Sequence, residues 1–219
     1  MSVTATRYEG LGWHVESSIS QRASKPQYIS LWVDRSGSMR TTLESTGPVV
    51  FSFLSDTHEA LGAFDISVFF FNGESVCLLP NGSTNVVEVG DWRIESSDDL
   101  RRLLESIRAH WHPSSTTNVL GAMCKGLTCV GAWLKRNTTG FATIMVTSDG
   151  DFDSKMSHTE LIRGAALEHR CTRDNFGAMM ATQLSAISVH VALHFVGVNG
   201  GTGSAQLKAV RDAFLAHEA

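Results

Sequence analysis

The chain has 219 residues, of which 42% are hydrophobic and 18% are charged, and 18 Lys and Arg against 22 Asp and Glu give a net charge of -4. This composition excludes a disordered chain, collagen and a coiled coil, and the length fits one α/β domain. Since the charge is slightly negative, it disfavours a nucleic-acid partner or an anionic membrane surface.

The cysteines and the first residues bear on the compartment. Cys77, Cys124, Cys129 and Cys171 form no Cys-x-x-Cys pair, and four cysteines in a chain of this length do not suggest a disulfide framework. The opening MSVTATRYEGLGWHVESS lacks the apolar core of a signal peptide, and no window is long and apolar enough for a membrane helix. We therefore expect buried, reduced thiols in a soluble, cytoplasmic protein.

The first half of the chain alternates between strand and helix patterns. Residues 1–26 are polar and aperiodic, so we interpret them as an N-terminal extension or edge element, and the domain proper as residues 27–219. The apolar run Tyr28–Asp34 predicts a buried strand, and the helix after it starts or kinks at Gly47–Pro48. The run Ile66–Asn72 predicts a strand that turns at Asn72–Gly73 into an antiparallel neighbour.

The second half continues the alternation. Ser97 opens a helix with an apolar face, a second helix runs from about Leu120 to Leu134, and Phe141–Thr147 reads as another buried strand. A helix capped by Ser157, a last strand over 187–198 and a last helix over 201–219 complete the pattern. The predicted fold class is therefore α/β, with an open, mostly parallel twisted sheet of about six strands, one antiparallel edge strand and helices on both faces.

Oxygen-bearing side chains gather where the predicted strands end. Open parallel sheets bind ligands at the carboxyl ends of their strands. The candidates at these ends are Asp34, Ser36, Ser38, Thr116, Thr117 and Asp149. Hydroxyls and carboxylates without His or Cys suit a hard divalent cation such as Mg²⁺ rather than zinc. Because neutral hydroxyls leave most of the ion's charge uncompensated, such a site would attract an acidic residue from a partner.

The segment Asp34-Arg-Ser-Gly-Ser-Met39, which follows an apolar strand, resembles the D-x-S-x-S metal-ion-dependent adhesion site of von Willebrand factor A domains. The family's other two elements follow in the same order, as T-T-N before a helix and S-D-G after a buried strand, and the resemblance covers residues 27–217. It implies a Rossmann-like fold and bound Mg²⁺, with Mn²⁺ or Ca²⁺ as alternatives.

The resemblance also assigns roles to the candidate ligands. Ser36 and Ser38 would bind the metal directly, and Thr117 would join them in one conformational state. Thr117 is preferred over Thr116 because the family's threonine directly precedes the Asn or Asp that starts the helix. Asp34 and Asp149 would act through water or through hydrogen bonds to the ligating hydroxyls.

The family resemblance implies a function in protein interaction. Stand-alone intracellular members resemble this chain in size and often work beside AAA+ ATPases, as in chelatase-type and MoxR-type complexes. We therefore expect a cation-dependent adaptor whose partner offers an acidic residue to the metal. Trp111, His112 and Asp151 are the residues expected at the rim of the partner-binding surface.

The sequence also offers two alternative functions. A metal-assisted phosphohydrolase would use Asp34 and Asp149 to hold Mg²⁺ and water. Because the sequence contains no recognisable catalytic motif, we do not expect enzymatic activity. A ribonucleoprotein role would need a basic face, for which Arg101, Arg102 and Arg108 are the candidates.

A separate calcium loop is disfavoured. The carboxylates from Asp149 to Glu160 imitate an EF-hand loop, but Ser154 stands where its sharp turn requires glycine.

Overall fold

The computed structural model describes residues 3–8, 12–17, 25–41, 43–114, 119–148 and 191–197. Within these ranges the strands are β1 Val3–Tyr8, β2 Gly12–Ser17, β3 Gln27–Asp34, β4 Phe64–Phe71, β5 Ser75–Leu78, β6 Thr84–Asn85, β7 Trp92–Ile94, β8 Phe141–Ser148 and β9 Val191–Gly197. The α-helices are α1 Leu43–Leu61, α2 Ser97–His110 and α3 Val119–Arg136. The helices predicted after Ser157 and over 201–219 lie outside the described residues.

The strands form one mixed sheet in the order β1-β2-β9-β8-β3-β4-β5-β6, and β7 also pairs with β4. The four central strands β9, β8, β3 and β4 are parallel, whereas the strands on both sides pair antiparallel. This arrangement confirms an α/β fold around a parallel centre. The sheet is wider than about six strands because short antiparallel strands flank that centre on both sides.

Two N-terminal strands extend the sheet at one edge. β1 and β2 pair antiparallel, and β2 pairs antiparallel with β9 through Trp13 opposite Phe195. The segment 1–26 therefore contributes two strands to one edge of the sheet.

Helices α1 and α2 cover one face of the sheet. The β3 side chains on this face are Ile29, Leu31 and Val33, and they share a buried apolar cluster with Val50 and Leu54 of α1 and with Leu100, Leu103 and Ile107 of α2. A short 3₁₀ helix, Gly37–Thr41, precedes α1. Since α1 begins at Leu43, Pro48 lies inside the helix rather than at its start.

The start of α2 is set by a capping box. The Ser96 hydroxyl accepts a hydrogen bond from the Asp99 backbone N–H at 3.2 Å, and the Asp99 carboxylate accepts one from the Ser96 backbone N–H at 3.1 Å. The cap is therefore Ser96, one residue before the predicted start at Ser97. Ser96 and Ser97 are equally favourable N-cap residues by type. Only the pair of hydrogen bonds between Ser96 and Asp99, three residues later, identifies Ser96 as the cap.

Helix α3 covers the opposite face of the sheet. A Cβ atom on Gly126 would lie 2.6 Å from Cε2 of Trp32 and 2.9 Å from Oγ of Ser30, so the glycine allows close contact between α3 and β3. Near the C-terminal end of α3, the Trp133 ring stacks on Tyr28 with the centroids 5.2 Å apart. In the described part of the chain, no helix combines the length and apolarity needed to cross a bilayer.

Candidate metal centre at the strand ends

Asp34 ends β3, and its carboxylate is completely buried. One oxygen, Oδ1, accepts a hydrogen bond from the Ser36 backbone N–H at 2.8 Å, which forms a local turn. The other, Oδ2, accepts a hydrogen bond from the Ser148 hydroxyl at 2.6 Å. Because β3 and β8 are parallel and in register, the ends of the two strands meet here. The carboxylate is therefore held at both oxygens.

Ser36 and Ser38 bring two hydroxyls together just beyond Asp34. Their Oγ atoms are 2.9 Å apart, and Ser36 is buried whereas Ser38 is exposed. The distance is that of a hydroxyl–hydroxyl hydrogen bond. It is also compatible with two neighbouring ligands of one cation, since octahedral coordination at about 2.1 Å separates adjacent ligands by about 3.0 Å. These hydroxyl oxygens therefore fit a hard divalent cation.

Two backbone carbonyls at the end of β3 are also engaged. The Trp111 indole N–H donates to the Asp34 carbonyl at 2.9 Å, and the Ser114 backbone N–H donates to the Arg35 carbonyl at 2.7 Å. On the other side, the Arg35 backbone N–H donates to the Phe71 carbonyl at 2.9 Å. The residues after α2 and the end of β4 thus hold the candidate site from both sides.

The position of Trp111 differs from the predicted one. The side chain was predicted to lie on the exposed rim of a partner-binding surface, but it is only 3% exposed and belongs to the apolar cluster beneath α1 and α2. The prediction is therefore wrong for this residue. The indole N–H binds the Asp34 carbonyl from the buried side of the sheet. Burial of such a large ring is favourable enough to outweigh its polar neighbours in the sequence. His112 is exposed, and its contact with a partner stays a prediction.

Ser148 was not among the predicted site residues. The sequence drew attention to Asp149 in the S-D-G element, whereas the hydroxyl that contacts Asp34 belongs to the last residue of β8. The sequence could have indicated Ser148, because Ser148 and Asp34 are each the last residue of a buried strand. The ends of two paired parallel strands lie side by side. Thr116, Thr117, Asp149 and Asp151 lie outside the described residues.

Arg35 is the cationic side chain inside the motif. Its guanidinium carbon lies 5.6 Å from the centroid of the Phe70 ring. Its Nε is buried and has no hydrogen-bond partner. Desolvation lowers the pKa of Arg35, and the charge of Glu74 on the β4–β5 turn opposes that shift. The end of β3 therefore carries a half-buried positive charge that packs on Phe70.

Charged side chains away from the end of β3 form no second metal centre in the described ranges. Among those residues, no group of three or more His, Cys, Asp and Glu side chains could hold a metal ion. On α2, Arg101 pairs with Asp98 at 3.1 Å and Glu105 at 3.3 Å, while Arg108 lies over the Phe51 ring. Carboxylates thus offset much of the positive charge of this helix.

The sequence matches no protein-family model and no curated protein. Among solved structures, proximal thread matrix protein 1 from the mussel byssus, with a zinc-occupied MIDAS motif, superposes with a TM-score of 0.53 at 11% identity, over 86% of this chain and 40% of that one. At this identity the likeness concerns the fold alone. It confirms the predicted Rossmann-like α/β fold of the von Willebrand factor A type.

Two further structures are similar. Manganese-loaded TRAP from Plasmodium vivax has a TM-score of 0.49 and 16% identity, over 88% of this chain and 63% of that one. The von Willebrand factor type A protein from Catenulispora acidiphila has a TM-score of 0.49 and 10% identity, over 99% of this chain and 48% of that one. The chain spans less than two thirds of the length of each of these proteins.

Proposed function

We propose that this chain is a divalent-cation-dependent protein-interaction module. Ser36 and Ser38 would hold the cation directly, and Thr117 and Asp149 would complete the donor set together with Asp34. The observation that carries the proposal is the hydroxyl pair, with 2.9 Å between its Oγ atoms, directly above a buried carboxylate. These oxygen donors suit a hard divalent cation, and Mg²⁺ is the ion that we propose.

The chemistry of the donors explains why such a centre would bind a protein. Both oxygens of Asp34 already accept hydrogen bonds, so this carboxylate organises the site more than it neutralises a cation. The neutral serine hydroxyls leave the charge of the ion largely uncompensated. A bound cation therefore supplies an open coordination position for a carboxylate, and an Asp or Glu of a partner is the group that would fill it.

The kind of partner follows from the family resemblance and not from the site. Stand-alone members of the von Willebrand factor A family act beside AAA+ ATPases, so we propose an adaptor of this type in the cytoplasm. The mussel byssus protein carries zinc in its motif. Residues 34–38 of this chain resemble the first element of that motif, which supports the proposal of a divalent cation at this position.

The first experiment measures metal binding. Mn²⁺ is titrated into the wild-type protein and into the Ser36→Ala, Ser38→Ala double variant, and the free ion is followed by electron paramagnetic resonance. We expect at least about a tenfold loss of affinity, since two of the proposed direct ligands are removed. Ser36 contacts Asp34 through its backbone N–H, so this contact is retained in the variant.

The control is Ser55→Ala, which changes an exposed serine within α1. It should bind Mn²⁺ like the wild type, and circular dichroism should show that all three proteins are folded. Equal Mn²⁺ affinity in the double variant and the wild type would refute the proposed centre.

The second experiment separates binding from catalysis. Capture of native-cell proteins on the immobilised chain is compared with Mg²⁺ and with chelator, using the same double variant. We expect metal-dependent capture that the double variant loses. Metal-dependent hydrolysis of a generic phosphoester that disappears in Asp34→Ala would instead support a phosphohydrolase.

A further inference from the structure

We propose that Trp111 and Ser114 are positioning residues of the candidate metal centre, which hold the two peptide units before Ser36 and thereby aim its hydroxyl at the cation. The inference rests on the proposed function and adds to it two residues that lie outside the D-x-S-x-S segment and would not touch the ion. Four hydrogen bonds to these two peptide units carry it.

The peptide unit between Asp34 and Arg35 is held at both of its polar groups. The Trp111 indole N–H donates to its carbonyl at 2.9 Å. Its N–H donates to the Phe71 carbonyl at the end of β4, also at 2.9 Å. Since Asp34 is completely buried, the indole N–H takes the place that water has at an exposed carbonyl.

The next peptide unit, between Arg35 and Ser36, is held in the same way. The Ser114 backbone N–H donates to the Arg35 carbonyl at 2.7 Å. The Ser36 N–H donates to Oδ1 of Asp34 at 2.8 Å. Because a peptide unit is planar, contacts at its carbonyl and its N–H restrain the whole plane. Two successive restrained planes determine the φ and ψ angles of Arg35, and the second plane places the Cα atom of Ser36.

The position of the Ser36 hydroxyl depends directly on this backbone. Its oxygen is two bonds from Cα, so one staggered side-chain torsion is the only freedom between the backbone and the proposed ligand. The side chain is buried, and its Oγ lies 2.9 Å from Oγ of Ser38. A rotation of the peptide units before Ser36 would therefore displace the oxygen that is proposed to bind the ion.

The core fixes the donor on Trp111. Its backbone N–H donates to the Ile107 carbonyl at 3.0 Å, directly after α2. Its ring is 3% exposed and lies in the apolar cluster, where a Cβ atom on Gly47 of α1 would be 4.0 Å from the ring carbon Cζ3. The packing of α1 and α2 thus determines where the indole N–H meets the end of β3.

Ser114 joins the segments that carry two of the proposed donor elements. Its N–H contacts the carbonyl of Arg35, inside the D-x-S-x-S segment. Thr117, the proposed ligand in the T-T-N element, comes three residues after Ser114 in the sequence. This single backbone hydrogen bond therefore links the first element to the chain that leads into the second.

The test compares two buried tryptophans that make the same contact in different places. Trp92 is 5% exposed, belongs to the same apolar cluster as Trp111, and donates its indole N–H to the Leu78 carbonyl at 3.0 Å. It pairs with Ile66, five residues before Phe71 at the end of β4. At about 3.3 Å per residue, Trp92 therefore lies about 16 Å along the strand from the candidate centre.

Mn²⁺ is titrated into the wild type, Trp111→Phe and Trp92→Phe by electron paramagnetic resonance, and urea unfolding measures the stability of each protein. Both substitutions remove an indole N–H and part of a buried ring, so we expect similar shifts of the urea midpoint. Trp111→Phe alone should bind Mn²⁺ about tenfold more weakly, because it loses a support of the proposed ligand. Trp92→Phe should bind Mn²⁺ like the wild type.

A second pair of variants tests Ser114 at an exposed position. Ser114→Pro removes the backbone N–H that contacts Arg35 and should also weaken Mn²⁺ binding by about tenfold. Ser114→Ala keeps that N–H and removes only the hydroxyl, which accepts a hydrogen bond from Asn72 at 3.0 Å. It should bind Mn²⁺ like the wild type. If Trp111→Phe does not fold, this pair decides the inference.

The outcomes separate this inference from the proposed function. Wild-type Mn²⁺ affinity in both Trp111→Phe and Ser114→Pro overturns the inference, and a loss in one of them alone excludes the other residue. Equal losses in Trp111→Phe and Trp92→Phe also overturn it, because general destabilisation then explains the effect. If the wild type does not bind Mn²⁺, or if the Ser36→Ala, Ser38→Ala variant binds it equally well, the proposed centre fails and the inference fails with it.

Discussion

The two faces of β3 are built from different chemistry, although both are buried. On the face under α1 and α2, Ile29, Leu31 and Val33 carry no polar side-chain atoms. On the face under α3, the alternate residues carry a phenol, a hydroxyl, an indole and a carboxylate; they are Tyr28, Ser30, Trp32 and Asp34. One strand thus supplies an apolar core on one side and a polar row on the other.

The polar row is satisfied internally. Trp32 Nε1 donates to Ser30 Oγ at 2.8 Å, and the Tyr28 hydroxyl donates to Ser67 Oγ at 2.9 Å or Asp91 Oδ1 at 2.8 Å. Asp34 continues this row at the strand end, where Ser148 and Ser36 satisfy its carboxylate. Burial of apolar groups therefore stabilises one face of β3, whereas the other face depends on matched hydrogen bonds and ends at the candidate metal centre.

The largest expected effect comes from the apolar face. Leu31→Ala removes a fully buried side chain and leaves a cavity between β3 and the two helices. We expect the free energy of unfolding to fall by about 2–5 kcal/mol. Urea unfolding, followed by circular dichroism, measures the change.

The matched change on the polar face is Ser30→Ala, one residue earlier in the same strand. It removes the acceptor of the Trp32 indole N–H and should cost about 1–3 kcal/mol. If Ser30→Ala costs more than Leu31→Ala, the two faces do not differ as described.

A smaller effect tests the close contact on the α3 face. Gly126→Ala would place a methyl group 2.6 Å from Cε2 of the buried Trp32. Overpacking should lower the free energy of unfolding by about 1–3 kcal/mol, even though alanine favours helix over glycine by about 1 kcal/mol.

The control for this substitution is Ala132→Gly at an exposed position of the same helix, which calibrates helix propensity without the clash. A stabilised Gly126→Ala protein would show that α3 does not approach β3 this closely. Both variants are compared with the wild type by urea unfolding.

The smallest effect appears only at alkaline pH. Burial raises the pKa of Cys77 to about 11 and that of Cys129 to about 12, whereas an unfolded thiol has a pKa of about 8.5. A raised folded pKa contributes stability that is fully present below the unfolded pKa and is lost as the pH rises through the folded pKa. The free energy of unfolding should therefore decline between about pH 8.5 and pH 12.

The Cys77→Ala, Cys129→Ala double variant should show a shallower decline, because it lacks both titrating groups. Tyr28, whose pKa burial also raises, retains a contribution of the same sign at higher pH. Thermal melting in pH steps, with reductant present, measures the difference. Parallel pH profiles for the variant and the wild type would contradict the assignment to these thiols.

Local sequence patterns predicted much of the fold and the position of two candidate ligands. The apolar run that ends at Asp34 identified a buried strand and placed the two serines at its carboxyl end, which the structure confirms. The hairpin of β4 and β5 was also predicted correctly, since Asn72–Gly73 is a local turn signal.

Other features depend on partners distant in sequence. The pairing of β2 with β9 joins Trp13 to Phe195, and no local periodicity in residues 1–26 indicates such a partner. Trp111 contacts the carbonyl of Asp34, which lies 77 positions away in the sequence. The polar residues next to Trp111 in the sequence do not indicate this contact, and they led to the prediction that Trp111 is exposed. These contacts arise from tertiary packing, which overrides the local pattern.

The carbonyl groups of Asp34 and Arg35 already accept hydrogen bonds from Trp111 and Ser114. The architecture of the strand end is consequently maintained by groups other than the serine hydroxyls that would touch an ion. Replacing either serine with alanine should therefore remove a proposed ligand of the cation while the end of the strand keeps its conformation. Folding and ion binding would then depend on different atoms of the same loop.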